Sequence, residues 1–133
     1  MRSLIVDDDF TCRRILQAYL SKYGECHIAV NGQEAIEAFK ASIEDNSPYD
    51  VITLDIMMPE CNGHDVLKTI REIEEEFNIY GSDSVKIIMT TALGDSENIR
   101  HAFREQCEGY LVKPIDKDSL VAKLIEFGLI EES

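Results

Sequence analysis

The chain has 133 residues, of which 44% are hydrophobic and 29% are charged, a size and composition typical of one globular domain. Asp and Glu number 26 against 13 Lys and Arg, so the formal net charge is −13 at pH 7. Because such an acidic surface repels phosphate backbones and anionic lipids, direct binding to nucleic acid or membrane is disfavoured. No apolar run approaches the ~18 residues of a membrane span. One cytoplasmic domain covering residues 1–133 is therefore expected.

The sequence offers no soft-metal or redox motif. Its four cysteines form no C-x-x-C pair, and its three histidines share no ligand spacing. The cysteines are predicted to be reduced and mostly to pack in the interior, and the histidines to have surface or packing roles. These residues are Cys12, Cys26, Cys61 and Cys107, and His27, His64 and His101.

Short apolar runs alternate along the chain with longer amphipathic stretches, a pattern that predicts alternating strands and helices. Strands are predicted over Ser3–Val6, Glu25–Val30, Asp50–Asp55, Val85–Met89 and Tyr110–Val112. Helices are predicted over Phe10–Tyr23, from Asn31 onward, through Val66–Ile73, over Ser96–Glu105 and over Asp118–Phe127. Five strand–helix units imply a parallel sheet with right-handed crossovers and helices on both faces, that is, a three-layer doubly wound α/β domain.

Local signals refine three of these elements. Asn31 is a candidate N-cap, with Glu34 three residues on as in a capping box. Ser42–Tyr49 and Asn78–Ser84 are predicted to be loops, and the acidic stretch Glu72–Glu76 is predicted to be a solvated helix face. Asp50–Asp55 is the candidate central strand, because a continuous apolar run is typical of a strand covered on both faces.

Polar residues follow four of the predicted strands, where ligands bind in an open parallel sheet. The first strand is followed by Asp7-Asp8-Asp9 and the third ends in Asp55, while Thr90-Thr91 follows the fourth and Lys113-Pro114 the fifth. If the strand order is 2-1-3-4-5, the first and third strands are neighbours, and Asp7, Asp8 and Asp55 share one crevice.

Three carboxylates at close range cannot all stay ionised without a compensating positive charge. The Lys113 ammonium is one source, and a hard dication such as Mg²⁺ or Mn²⁺ is the other, because the ligands are oxygens with no His or Cys at this edge. Such a site suits phosphoryl transfer to an aspartate, with Thr91 as an additional hydroxyl contact. Taken singly, Asp9 could be a helix cap, Thr91 a turn residue and Lys113 a solvated strand end.

The sequence resembles the receiver domain of two-component response regulators, including stand-alone chemotaxis-type receivers. The match covers nearly the whole chain. Four blocks carry it in order and spacing: Leu4–Asp9 followed by Arg13-Arg14, Asp50–Pro59, Ile87–Ala92 and Gly109–Pro114. The resemblance implies a flavodoxin-like fold and the strand order 2-1-3-4-5.

The resemblance also implies roles for individual residues. Asp55 would be the phosphoacceptor, Asp7 and Asp8 the acid pair, and the Met57 backbone carbonyl would join Asp8 and Asp55 around Mg²⁺. Lys113 would contact the phosphoryl group, Thr91 would be the switch hydroxyl, and Tyr110 the aromatic that changes rotamer.

Partners follow from the same resemblance. A sensor histidine kinase or histidine phosphotransfer protein would supply the phosphoryl group, and an unknown protein would be contacted through the Ser96–Phe127 face. The domain would be a monomer or a weak phosphorylation-dependent dimer, and not an enzyme with an external substrate. The departures are a polar Asn78–Ser84 insertion and the apolar residues Met57 and Leu93 beside the site.

Three alternatives remain. A flavin or nucleotide carrier would share the sheet, but the three aspartates after its first strand would repel phosphate. An aspartate-nucleophile phosphatase typically has a second Asp two residues after the nucleophile as general acid, and that position is Met57. A phosphorylation-independent docking module would leave the site residues without a role.

Overall fold

The computed structural model describes residues 1–59, 61–92, 100 and 106–131. Five parallel strands form its sheet: β1 (Arg2–Val6), β2 (Glu25–Ala29), β3 (Val51–Asp55), β6 (Lys86–Thr91) and β7 (Gly109–Val112). Two-residue strands, β4 (Met57–Met58) and β5 (Cys61–Asn62), form a separate antiparallel hairpin that the sequence did not predict. The sheet order is β2-β1-β3-β6-β7. Counting only the strands of this sheet, the predicted order 2-1-3-4-5 is confirmed.

Four α-helices lie within the described residues: α1 (Phe10–Leu20), α2 (Gly32–Glu44), α3 (Gly63–Glu76) and α4 (Lys117–Glu126). Short 3₁₀ turns span Ser21–Tyr23 and Gly81–Asp83. The helix predicted over Ser96–Glu105 falls almost entirely outside the described residues. Within the described ranges, no helix has the length and apolar character needed to cross a membrane.

Helix starts follow the predicted capping chemistry. Asp9 caps α1 by accepting the Thr11 N–H at 2.9 Å, and Asn31 caps α2 by accepting the Glu34 N–H at 2.8 Å. The Glu34 carboxylate reaches back to the Val30 N–H at 2.9 Å, one residue before the cap. The α2 helix continues to Glu44, so the loop predicted from Ser42 begins later than expected.

The sheet is covered on both faces, which makes three layers. Residues of alternate parity on each strand point to opposite faces. One face packs against α2 and α3 through residues such as Leu4, Ile52 and Ile87, and the other against α1 and α4 through Ile5 and Ile88. All five residues of β3 are buried, which confirms it as the central strand.

One prediction about the surface is wrong. The Glu72–Glu76 stretch is not uniformly solvated, because Glu74 is only 3% exposed. Its carboxylate accepts the Val85 N–H at 2.8 Å and pairs with Arg71 at 2.6 Å, so burial is compensated by a backbone donor and a cation. The sequence did indicate that Glu74 would be buried, since it lies seven residues after Leu67 and four after Ile70, on the buried stripe of α3.

The four cysteines are free thiols, as predicted. Burial, assisted by Asp9 for Cys12 and by Glu108 for Cys107, raises the pKa of each of these two thiols to about 11. Both therefore remain protonated at neutral pH and are poor nucleophiles.

Candidate functional site

The predicted carboxylates meet at the carboxyl edge of the sheet. Asp7 follows β1 directly and Asp55 ends β3, and these strands are paired with Val6 opposite Leu54. One carboxylate oxygen from each of Asp7, Asp8 and Asp55 lies within 4.8 Å of the others. Asp7 is fully buried and Asp55 is 3% exposed, whereas Asp8 faces solvent. The cluster therefore has a closed side and an open side.

Lys113 joins the two buried carboxylates. Its Nζ lies 3.0 Å from Asp7 Oδ2 and 3.3 Å from Asp55 Oδ2. Its backbone N–H donates to the Thr91 carbonyl at 2.7 Å, which fixes the residue just beyond the pairing of β6 with β7. The lysine is thus held at both its backbone and its ammonium, and the interpretation of Lys113 as a solvated strand end is wrong.

Backbone donors orient the carboxylates. The Asp9 N–H donates to Asp7 Oδ1 at 2.9 Å, and the Met57 N–H donates to Asp55 Oδ1 at 3.2 Å. Arg13 Nη1 donates to the Asp7 backbone carbonyl at 2.9 Å. These contacts leave Oδ2 of Asp7 and Oδ2 of Asp55 directed at Lys113.

The electrostatics favour protonation or cation binding. Burial, followed by the neighbouring Asp7 charge, raises the pKa of Asp55 to about 6 from its ordinary 3.8, although Lys113 opposes the rise. For Lys113, burial alone would lower the pKa, but the close contact with the Asp7 carboxylate and the negative charges of Asp55 and Asp7 outweigh it, so the pKa is raised. The ammonium stays charged, and one cation faces more than one carboxylate.

The donor set fits a hard divalent cation. Three carboxylates supply oxygen ligands of the type Mg²⁺ and Mn²⁺ prefer. Among the described residues, Asp7 Oδ2 is buried without a donor in hydrogen-bond geometry, although it contacts the Lys113 ammonium as an ion pair. A partly unsatisfied buried oxygen beside two further carboxylates would be stabilised by an additional cation.

Other predicted residues lie around this cluster. Thr91 ends β6 and is 1% exposed; it follows Thr90, which pairs in register with Asp55. Tyr110 lies on β7, opposite Met89, and is 37% exposed. The Met57 side chain is 65% exposed beside the site. Leu93 lies outside the described residues.

Gly63 contributes to the site although a glycine after Asn62 is, from the sequence, typical only of a turn. It opens α3 after the Asn62 cap, and its N–H donates to the Ile56 carbonyl at 2.8 Å. This contact brings the start of α3 against the backbone that carries Asp55. The sequence signal was a glycine eight residues after the candidate nucleophile, which does not by itself reveal a close contact.

Comparison with known proteins places these features in a family. Residues 3–125 match the model of the response regulator receiver domain. The transcriptional regulatory protein SrrA of Staphylococcus aureus is 37% identical over 122 residues, which is 91% of this chain and 45% of that protein. The chain thus spans about half the length of this curated relative.

Solved structures of receiver domains are similar to this chain in fold. The receiver domain of Ssk1, crystallised with the histidine phosphotransfer protein Ypd1 of Saccharomyces cerevisiae, is 29% identical with a TM-score of 0.82, covering 96% of this chain and 88% of that one. A chain of the CheX-CheY-BeF3-Mg²⁺ complex of Borrelia burgdorferi is 26% identical with a TM-score of 0.79, covering 98% and 90%. With its flavodoxin-like sheet order and its acidic cluster at the sheet edge, the chain belongs to the receiver domain family of two-component response regulators.

Proposed function

We propose that the chain is a phosphorylation-dependent switch that accepts a phosphoryl group on Asp55 in a Mg²⁺-dependent reaction. The observation that carries the proposal is the buried Asp55 carboxylate, 3.3 Å from Lys113 and within 4.8 Å of Asp7 and Asp8. A carboxylate held this way has an oxygen available for attack and positive charge beside it.

In phosphoryl transfer to Asp55, the other residues of the site mainly position the reacting groups and neutralise charge. An Asp55 carboxylate oxygen attacks phosphorus as the P–N bond of a phosphohistidine donor breaks, and the electron pair of that bond stays on the imidazole. Lys113 neutralises charge on the transferred oxygens, and Mg²⁺ held by Asp7, Asp8, Asp55 and the Met57 carbonyl would neutralise the rest. The chain assists its own phosphorylation and dephosphorylation but has no external substrate to turn over.

Two residues would report the phosphorylated state. The Thr91 hydroxyl lies at the end of the strand beside Asp55 and would bond the phosphoryl group. Tyr110 lies on β7, three residues before Lys113, and would change rotamer when Thr91 engages. Both roles rest on the family resemblance and on these positions.

Partners and setting follow from the same chemistry. The donor would be a sensor histidine kinase or a histidine phosphotransfer protein, consistent with the phosphotransfer complex formed by the Ssk1 receiver domain. Output would pass to another protein through the Ser96–Phe127 face, of which β7 and α4 are described. We place the protein in the cytoplasm, as one receiver domain over residues 1–133 that is a monomer or a weak phosphorylation-dependent dimer.

The proposal is tested by weighing the intact protein after incubation with Mg²⁺ and acetyl phosphate. The expected result is one added phosphoryl group that is absent without Mg²⁺ and absent in Asp55→Asn. Asp65→Asn, which removes an exposed aspartate of α3, is the matched control and should behave as wild type. Phosphate release without an adduct would indicate a phosphatase, and no reaction at all would favour a docking module.

A further inference from the structure

At the end of the sheet opposite the carboxylate cluster, where β6 and β7 begin, all three guanidinium nitrogens of Arg71 in α3 donate hydrogen bonds. Nη1 donates to Glu74 Oε1 at 2.6 Å and to the Val85 carbonyl at 3.0 Å. Nε and Nη2 donate to the Gln106 carbonyl at 3.0 and 2.8 Å, and Nη2 also donates to Glu108 Oε1 at 2.7 Å. These contacts match the five N–H donors of an arginine, and the side chain is only 12% exposed.

The two glutamates pass this connection to β6. Glu74 Oε2 accepts the Val85 N–H at 2.8 Å, and Glu108 Oε1 accepts the Ile87 N–H at 2.7 Å. The Glu108 N–H in turn donates to the Ile87 carbonyl at 3.0 Å. At this end, therefore, β6 is bonded to the residue preceding β7 through a side chain as well as through the backbone.

The strand that Arg71 holds is short. With four residues, β7 spans about 13 Å, and in the described sheet it pairs only with β6. Tyr110 is 37% exposed, so only part of the strand is fixed by apolar packing. A slip of one residue would reverse the face of every side chain. Lys113 follows the strand directly, so its place between Asp7 and Asp55 depends on this register.

Gln106 marks the point where the chain is fixed. Its φ of 74° lies in the left-handed region that non-glycine residues seldom adopt. Such conformations persist where surrounding contacts determine them, and here the Gln106 carbonyl receives two Arg71 donors.

From these contacts we propose that Arg71 is a positioning residue for Lys113. It fixes the amino end of β7 through Gln106 and Glu108, and so sets the register that delivers Lys113 to the carboxylate cluster. The site would then depend on a network at the opposite end of the sheet. The effect on phosphorylation rests on the proposed function, but the position of Lys113 can be measured without it.

Two variants test the proposal. Arg71→Lys keeps the charge but loses the planar set of donors, and Glu108→Ala removes the acceptor that Arg71 shares with the Ile87 N–H while keeping Arg71 and its other contacts. Phe39→Leu is the control. Phe39 is buried in the core between α2 and the sheet, in a cluster that includes no residue of β7, so its truncation should destabilise the protein without a direct effect on β7. Three readouts apply: amide hydrogen exchange, acetylation of Lys113 by acetic anhydride relative to Lys40, which is exposed on α2, and the rate of phosphorylation by acetyl phosphate.

In both test variants we expect β7 amides to lose protection selectively and Lys113 to be acetylated about tenfold faster relative to Lys40. Phosphorylation should slow by about tenfold, because a small displacement of a positioned group is costly. Changes no larger than those in Phe39→Leu would overturn the proposal. If wild type is not phosphorylated at all, the proposed function fails, while the exchange and acetylation results still decide the role of Arg71.

Discussion

Gly63 lies so close to the backbone of Asp55 that no side chain fits between them. A Cβ added at Gly63 would stand 2.8 Å from the Ile56 Cα and closer still to the Asp55 carbonyl oxygen. Both neighbours are backbone atoms, which cannot rotate away. Gly63→Ala should therefore lower the free energy of unfolding by about 1–3 kcal/mol and reduce phosphorylation, measured by urea denaturation and by mass after acetyl phosphate treatment.

Gly109→Ala is the comparison for this prediction. A Cβ there would meet only side-chain atoms, the nearest being the Phe127 Cζ at 3.3 Å. Because that ring can shift, the loss of stability should stay below about 1 kcal/mol. An equal loss in both variants would mean that the contact of Gly63 with the Asp55 backbone is not tight in solution.

Asp55→Asn should stabilise the protein in a pH-dependent way. The folded-state pKa of Asp55, about 6, lies above the ordinary 3.8, so the native state binds this proton more tightly than the unfolded state. Protonation of Asp55 therefore stabilises the folded state. This contribution is complete below about pH 4 and is lost as the pH rises through 6. The variant lacks the charge, and its advantage over wild type should grow from near zero at pH 4 to at most about 3 kcal/mol at pH 7.5.

The measurement is urea denaturation at several pH values in EDTA, so that no divalent cation offsets the carboxylate repulsion. Asp65→Asn serves as the control, because that aspartate is exposed in the first turn of α3 and losing its charge should cost less than about 1 kcal/mol. A pH-independent difference between Asp55→Asn and wild type would contradict the assigned environment of Asp55.

The sheet was predictable because its strands are apolar runs of ordinary length. Val51–Asp55 is buried throughout, and such a run leaves a clear signal. The hairpin of Met57–Met58 with Cys61–Asn62 was missed because strands of two residues are too short to show a period. Glu74 was assigned to solvent from its acidic neighbours, although its position on the apolar stripe of α3 indicated burial.

The carboxylate cluster was also predictable, because parallel strands bring their carboxyl ends to one edge. Asp7, Asp55 and Lys113 follow directly from that rule and lie together. The Arg71 network was not predictable, because Glu108 lies 37 residues from Arg71 in the chain. A single sequence gives no sign of which arginine meets which carbonyl when the partners are distant in the chain.

Asp8 should be the residue whose loss most directly removes divalent-cation binding. It is the exposed member of the cluster, so its carboxylate can bind a cation at the open side without disturbing the core. Unmodified protein should bind Mg²⁺ weakly, and Asp8→Ala should abolish the binding because too few carboxylates remain. Isothermal titration with Mg²⁺ measures this directly.

A neighbouring aspartate offers the control for that titration. Asp9 is exposed but caps α1, and Asp9→Ser keeps an oxygen for the Thr11 N–H. It should bind Mg²⁺ as wild type does. If Asp8→Ala kept its affinity while Asp9→Ser lost it, the cation site would have to be moved toward the start of α1.

The lifetime of the phosphorylated state should depend on Met57. Loss of the phosphoryl group requires a water to attack in line, opposite the Asp55 oxygen, and the family resemblance implies that residues 57 and 93, here Met57 and Leu93, would border that path. Met57 is 65% exposed, and its N–H already donates to Asp55 Oδ1, so its side chain stands at the open side of the site. A thioether cannot orient a water by a strong hydrogen bond.

A polar side chain that positions the attacking water is typically worth about 10² in rate, so its absence should slow hydrolysis by roughly tenfold or more. Met57→Asn combined with Leu93→Glu is therefore expected to shorten the lifetime of the phosphorylated protein by about tenfold or more. The Mg²⁺ dependence should not change, because the backbone of residue 57 and the three aspartates remain.

The measurement removes the phosphodonor from phosphorylated protein and follows the decay by mass. Met58→Leu, a substitution at a buried neighbour, is the control for altered packing. Decay in the double variant that is equal to or slower than in wild type would exclude water access at these positions as the determinant of lifetime.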